Sequence, residues 1–236
     1  MQIVLLCGGL GTRLKQIDNK NPKGLIDINN KPFIYYLLNS IKKYSFSSIH
    51  FCLGYKGKQF IDFINNLENL NNITYSLENE NNLLGTGGAI KNCLNFLENN
   101  FIVQYGDTIL EINYEKLYKY HLLNQKPMTM TIIKKELSKE KPNLFCKLNL
   151  NDDMECIYNK KNPQENSNYI DYGAIVFNKK IFINIKKKVF DLSEIQTKLS
   201  KNKEARYYIA NHPYTEIGNP SSYRDAIKKL NDFSSK

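Results

Sequence analysis

No stretch of this 236-residue chain approaches the ~20 consecutive apolar residues that a membrane span needs. The start, Met1-Gln2-Ile3-Val4-Leu5-Leu6-Cys7-Gly8-Gly9, lacks basic residues, and its apolar run is too short for a secretory signal. A cytoplasmic location without membrane insertion is therefore expected. The five cysteines (Cys7, Cys52, Cys93, Cys146 and Cys156) are scattered and odd in number. That pattern argues against a disulfide framework and against a zinc site, and predicts small buried hydrophobes in a reducing compartment. There is no internal repeat, no long linker and no low-complexity tail.

What is present suits one domain. Hydrophobic residues make up 42% and charged residues 24%, as in ordinary globular proteins. The net charge is +10, from 33 basic and 23 acidic side chains. A basic surface can hold polyanions, but the lysines are spread along the chain and only Lys186-Lys187-Lys188 is tightly clustered. Without a recognition motif the charge does not predict nucleic-acid binding, whereas a phosphate-rich small substrate would gain from the positive field.

The first half alternates short apolar runs with helical patterns. Residues 2–7 read as a strand buried on both faces, and 49–53, 73–77 and 101–105 as further strands. Between them, 33–44, 60–67 and 90–97 carry apolar residues at helical spacing. This order predicts an α/β fold, a three-layer Rossmann-like sandwich around a mostly parallel mixed sheet, with ligands beyond the strands' carboxyl ends. The second half reads as strands at 128–133, 172–177 and 206–209, and a hairpin of 144–150 with 154–158 turning at Asn151-Asp152-Asp153. Asp191-Leu192-Ser193-Glu194 looks like a capping box, and Asn219-Pro220 like a helix start. One domain over 1–236 is expected, with halves 1–110 and 111–236, the second completing the sheet and adding a small substrate-facing lobe.

Gly8-Gly9-Leu10-Gly11-Thr12-Arg13-Leu14 follows the first strand. Glycines let backbone N–H groups approach phosphate oxygens, and Arg13 adds a planar fork for a phosphate. The Walker pattern Gly-x-x-x-x-Gly-Lys-Ser/Thr is absent. A dinucleotide fingerprint is broken by Leu14 where its third glycine belongs. A bare strand-to-helix turn would explain glycines alone. The longer run, followed by Pro22-Lys23, resembles the signature of the sugar-1-phosphate nucleotidyltransferases. The resemblance continues through Leu84-Gly85-Thr86-Gly87-Gly88-Ala89, Gly106-Asp107-Thr108 and Glu216-Ile217-Gly218-Asn219-Pro220. Leu84 to Ala89 and Tyr169-Ile170-Asp171-Tyr172-Gly173 bring it nearest to the heptose 1-phosphate guanylyltransferase-like members. Gly24 departs from the pattern, where members often carry a second proline, and Glu216 stands where many carry aspartate.

The resemblance implies transfer of a nucleoside monophosphate from a nucleoside triphosphate to a sugar 1-phosphate, giving an NDP-sugar and pyrophosphate. GTP with a heptose or mannose-type 1-phosphate, in capsule or lipopolysaccharide synthesis, follows from the nearest members. The attacking phosphate is already anionic and needs no general base, in keeping with only three histidines (His50, His121, His212) and none in these motifs. The implied nucleotide site is Leu6, Gly8, Gly9, Gly11, Thr12, Arg13, Gly85, Thr86 and Gly106. Arg13 would neutralise the leaving pyrophosphate, and Lys23 would bring the two anions together. Asp107 and Glu216 would hold Mg²⁺, which typically takes one or two carboxylates and fills its shell with phosphates and water. Lys160, or its neighbour Lys161, would reach the sugar phosphate, and Asp171 and Gly173 the sugar hydroxyls. The family also allows a homo-oligomer.

Bland readings stand beside these: a turn aspartate at 107, a surface carboxylate at 216, solvated lysines at 160 and 161. Rival functions are a cytidylyltransferase acting on a phosphocholine-like phosphate, a non-catalytic nucleotide or sugar-phosphate sensor, and a basic nucleic-acid-binding protein.

Overall fold

The computed structural model describes residues 1–67, 72–150 and 153–231. The buried N-terminal run becomes β1 (Gln2–Leu6), followed by β2 (Ser48–Leu53), β3 (Ile73–Leu77) and β4 (Asn100–Tyr105). Helices α1 (Phe33–Ile41), α2 (Gly57–Asn65) and α3 (Gly85–Asn92) connect them. These strands lie parallel in the order β3-β2-β1-β4, so β1 is central and its neighbours lie on opposite sides. The chain direction across the sheet therefore reverses at the β1/β4 gap, the place where α/β sheets leave a crevice for ligand. Alternate residues of β1 divide between two cores: Ile3 and Leu5 pack with α1 and α2 residues such as Phe33 and Phe60, while Val4 faces Ile90 of α3. Helices thus cover both faces of the sheet.

The second half supplies α4 (Tyr114–Asn124), β5 (Met128–Lys134), β6 (Leu144–Leu148), β7 (Met154–Tyr158) and β8 (Tyr169–Asn178). It continues through α5 (Lys180–Ile183), α6 (Leu192–Lys201), β9 (Ala205–Ala210) and α7 (Pro220–Leu230). β8 joins the halves. Its C-terminal part pairs antiparallel with β4, its other edge pairs with β5, and its first residue, Tyr169, pairs with Leu144 of β6. The β5 ladder is interrupted between Asp171 and Ile175, where Gly173 takes φ +101°. Such an irregularity bends a strand and parts its neighbours, and that left-handed backbone suits only glycine. On its other edge β8 pairs with β4 only from Ala174 and with β6 only at Tyr169, which leaves a notch at Asp171–Gly173.

Three expectations are corrected. Cys146 and Cys156 stand opposite each other in the β6–β7 ladder and form a disulfide. Hairpin register pairs them, and a count of scattered cysteines carries no register. The hairpin's turn at Asn151-Asp152 lies outside the described residues. The helix expected from residue 90 begins at Gly85 and ends at Asn92, because the backbone of Phe190 docks onto its glycine turn and overrides weak helix propensity. Finally, Asp191 caps α6 through Ser193, but Glu194 does not close a capping box; it binds Lys187 at 2.8–2.9 Å. At α7, by contrast, Asn219 and Ser222 form a full capping box with Pro220 at the start of the helix.

Candidate active site

Two neighbouring cavities open at the carboxyl ends of β1 and β4. The first, about 200 Å³, is floored by Leu6, Gly8 and Gly9 after β1 and by Tyr105, Gly106 and Asp107 after β4. Gly85, Thr86 and Glu78 form its far wall, and Lys23 enters from the side. The second, about 250 Å³, lies in the notch beside β8 and gathers Arg13, Asp107, Lys160, Asp171, Gly173 and Glu216. Tyr105 and Asp107 line both. Every site residue expected from sequence therefore falls on one cavity or the other, except Gly11 and Thr12. Gly11 takes φ +59°, and a Cβ added there would lie 3.3 Å from Lys23 Cβ, so glycine lets the loop run close beside Lys23. Thr12 opens the short 3₁₀ turn that carries Arg13. Of the two adjacent lysines, Lys160 lines the second cavity, and its Nζ stands 3.9 Å from Asp191.

Close backbone contact explains the glycines. Gly8 and Gly54 touch across β1 and β2, and a Cβ on Gly54 would lie 2.8 Å from the Gly8 carbonyl. Gly24 is required by Phe60, whose ring would sit 2.7 Å from an added Cβ, so a second proline has no room here.

Lys23 Nζ donates a charge-assisted hydrogen bond to Asp107 Oδ2. The other carboxylate oxygen, Oδ1, accepts from the Thr108 hydroxyl at 3.1 Å. Glu216 is brought alongside by a short antiparallel pair, Thr108–Ile109 with Thr215–Glu216, in which Glu216 stands opposite Thr108. Ile217 N–H donates to the Asp107 carbonyl at 3.1 Å and fixes this register. Burial, and next the negative charge of Asp107, push the Glu216 carboxyl above its ordinary range. Two half-buried carboxylates that destabilise each other, with oxygen donors only, are a donor set that suits a hard divalent cation.

Glu78, just past β3, was not singled out by sequence reasoning. Its carboxylate is 9% exposed, and Oε2 accepts from Leu84 N–H at 2.8 Å. Burial raises its pKa. Its only sequence signal was an acidic residue shortly before the second glycine cluster.

That cluster has another duty. The N–H groups of Gly87 and Gly88 donate to the Phe190 carbonyl at 3.0 and 3.2 Å, and Phe190 N–H returns a bond to the Leu84 carbonyl at 3.0 Å. Leu192 N–H donates to the Thr86 hydroxyl at 2.8 Å. Thr86 lines the first cavity, but its hydroxyl is engaged by the α6 cap. In the second cavity, Asp171 Oδ1 accepts from Gly173 N–H at 3.1 Å and Oδ2 from Gln196 at 2.7 Å. Burial raises the Asp171 pKa. His50 and His121 are buried structural groups, bonded to Thr74 and Ser76, and to Thr129 and Asn100.

Residues 2–232 match the family model described as nucleotidyl transferase. The chain belongs to the nucleotidyl transferase family. As a nucleotidyltransferase it has relatives that match nearly end to end. It is 31% identical to D-glycero-alpha-D-manno-heptose 1-phosphate guanylyltransferase of Campylobacter jejuni, over 94% of this chain and 97% of that one. It is 27% identical to the enzyme of the same name from Aneurinibacillus thermoaerophilus, over 99% and 100%. Among solved structures, HddC from Yersinia pseudotuberculosis complexed with GMP-PN superposes with a TM-score of 0.77 at 26% identity, covering 97% of this nucleotidyltransferase and 99% of HddC. The three-layer fold and the nucleotidyltransferase activity expected from the sequence are both borne out by these matches. No helix among the described residues is long and apolar enough to cross a membrane.

Proposed function

We propose that this nucleotidyltransferase moves the GMP unit of GTP onto a manno-configured sugar 1-phosphate, a heptose or mannose type, releasing pyrophosphate and making a GDP-sugar for cell-surface glycan synthesis. The observation that carries the reading is the pair of cavities sharing Asp107, one walled by glycine backbone and the other by Arg13 and Lys160. The first suits a nucleotide and the second a phosphorylated acceptor. The choice of guanine rests on Glu78. Guanine presents two adjacent donors, N1–H and the 2-amino group, along one edge, and a carboxylate with one oxygen fixed by Leu84 N–H is an acceptor suited to them. The names of the guanylyltransferase relatives and the GMP-PN held by HddC support the same donor.

In this reading an oxygen of the sugar phosphate attacks the α-phosphorus, one P–O bond forms, and the bond to the β-phosphate bridging oxygen breaks. The nucleophile is anionic at neutral pH, so no side chain has to take a proton. The chain's work is positioning and neutralisation. Lys23 lines the first cavity and is bonded to Asp107, which lines both, so its ammonium stands where the two anions would meet. Arg13 offers a bidentate fork to phosphate oxygens. Asp107 and Glu216 would hold Mg²⁺, and the ion would neutralise charge on the phosphate oxygens.

The test is a matrix of four nucleoside triphosphates against mannose, glucose and D-glycero-D-manno-heptose 1-phosphates, read as pyrophosphate release with magnesium present and chelated. GTP with a manno-configured acceptor should dominate, and chelation should abolish turnover. Equal rates for all four triphosphates would refute the Glu78 reading.

A further inference from the structure

Gln196 is fully buried in the middle of α6, and nothing in the chemistry above uses it. Its Nε2 donates to Asp171 Oδ2, while its Oε1 is buried with no partner among the described residues. An unsatisfied buried carbonyl costs stability, and an apolar side chain of the same length would avoid that cost. The glutamine thus leaves one polar atom unsatisfied, and the one hydrogen bond it makes satisfies and aims the Asp171 carboxylate of the second cavity.

The helix that carries Gln196 is held at its other end by the nucleotide half. Phe190 and Leu192 bond to Leu84, Thr86, Gly87 and Gly88, and Asp191 caps the first turn through Ser193. Added methyl groups would find no space along this seam. A Cβ on Gly85 would lie 2.7 Å from the Phe190 carbonyl, and one on Gly87 would lie 2.2 Å from its ring. The start of α6 is thus held by the second glycine loop, while further along Ser200 Oγ accepts from Tyr158 N–H of β7 at 3.1 Å.

We propose that Gln196 is a positioning residue for the acceptor: through its bond to Asp171 it orients that carboxylate to receive the sugar hydroxyls, with α6 as the frame that registers it against the donor site. This inference rests on the reading of the notch as the sugar-phosphate site. Gly173 N–H fixes one oxygen and Gln196 the other, so the carboxylate plane is set from two sides and each oxygen keeps a lone pair for a hydroxyl donor.

The experiment compares Gln196→Met, Asp171→Asn and the double variant with the wild-type chain, using GTP and mannose 1-phosphate or D-glycero-D-manno-heptose 1-phosphate. Gln196→Met should raise the KM for the sugar phosphate about tenfold, leave the KM for GTP within twofold, and change Tm little, because removing the unsatisfied carbonyl offsets the lost bond to Asp171. In the Asp171→Asn background it should add less than twofold, because Gln196 acts only through that carboxylate. Gln196→Leu provides a second side chain without a donor and should repeat the pattern. Equal rises in both KM values, a fall in Tm that tracks the loss of activity, or full additivity with Asp171→Asn would each overturn the proposal. Should the wild-type chain fail to turn over, the functional reading falls, and calorimetric binding of mannose 1-phosphate to the same variants decides this one. Weaker binding by Gln196→Met alone supports it, and no binding or equal binding throughout refutes it.

Discussion

Lys23 Nζ and Asp107 Oδ2 are joined by a charge-assisted hydrogen bond in the first cavity, and Asp107 lines the second as well. Lys23 keeps 16% of its side-chain surface exposed and Asp107 28%, so neither charge is fully hydrated or fully buried. Each group neutralises the other, and each can be drawn away, the lysine by phosphate and the carboxylate by a cation. Asp107→Asn preserves shape and removes the negative charge. Losing one preorganised charge-stabilising group costs on the order of 10²–10³ in kcat, and pyrophosphate release should fall by that much. A variant that keeps a third of the wild-type rate would remove Asp107 from the chemistry.

Glu78→Gln should change donor choice more than turnover. A charge-assisted hydrogen bond contributes roughly 1.5–3 kcal/mol, so kcat/KM for GTP should drop about tenfold or more. The same ratio for ATP should stay level or rise, because adenine offers no donor pair at that edge. Competition between GTP and ATP in one reaction mixture measures the shift directly. An unchanged ratio would assign Glu78 to holding Leu84 alone.

His121 makes acid stability testable. Burial lowers its imidazole from 6.5 to about 4. The unfolded chain takes up this proton near 6.5 and the folded chain only near 4, so between those values the unfolded state binds more protons. Stability contributed by the neutral ring is present above 6.5 and is lost as pH falls toward 4. Urea unfolding at pH 7.5 and 4.5 should show a loss of roughly 2 kcal/mol from this group. His121→Gln should lose correspondingly less over the same interval, and parallel curves for the two proteins would contradict the assignment.

The hairpin disulfide predicts a thiol count. Unfolded without reductant, the protein should titrate three thiols (Cys7, Cys52 and Cys93), and after reduction five. Closing so short a loop is worth about 2–3 kcal/mol in the chain-entropy account, so Cys146→Ser with Cys156→Ser should lower Tm by several degrees. Five thiols before reduction would show the pair to be open.

Much of this was legible in the chain because local signals agreed. The run Ile3-Val4-Leu5 could only be a doubly buried strand, and Asn219-Pro220 could hardly be other than a helix start. The residues that reach the two cavities sit in ordered motifs at strand ends, where the fold itself brings them together. What escaped notice depends on register or on tertiary partners. Cys146 meets Cys156 only because the hairpin aligns them. The turn Gly85-Thr86-Gly87-Gly88 looks like a ligand loop until Phe190 is found against it, from a segment about a hundred residues away. Glu78 is one of two acidic residues in Glu78-Asn79-Glu80, and its burial in the cavity wall separates it from Glu80.

Among the described residues the β6–β7 hairpin shares a single ladder rung with β8, Tyr169 with Leu144, beside which Asn168 bonds the Cys146 backbone. The hairpin and the loop following it supply Tyr158 and Lys160 to the notch, yet add nothing to the lining of the first cavity. An arrangement of this kind makes acceptor preference a separable trait. Descendants of the gene can exchange or lengthen that ribbon and explore new carbohydrates, while the machinery that splits the triphosphate is inherited intact.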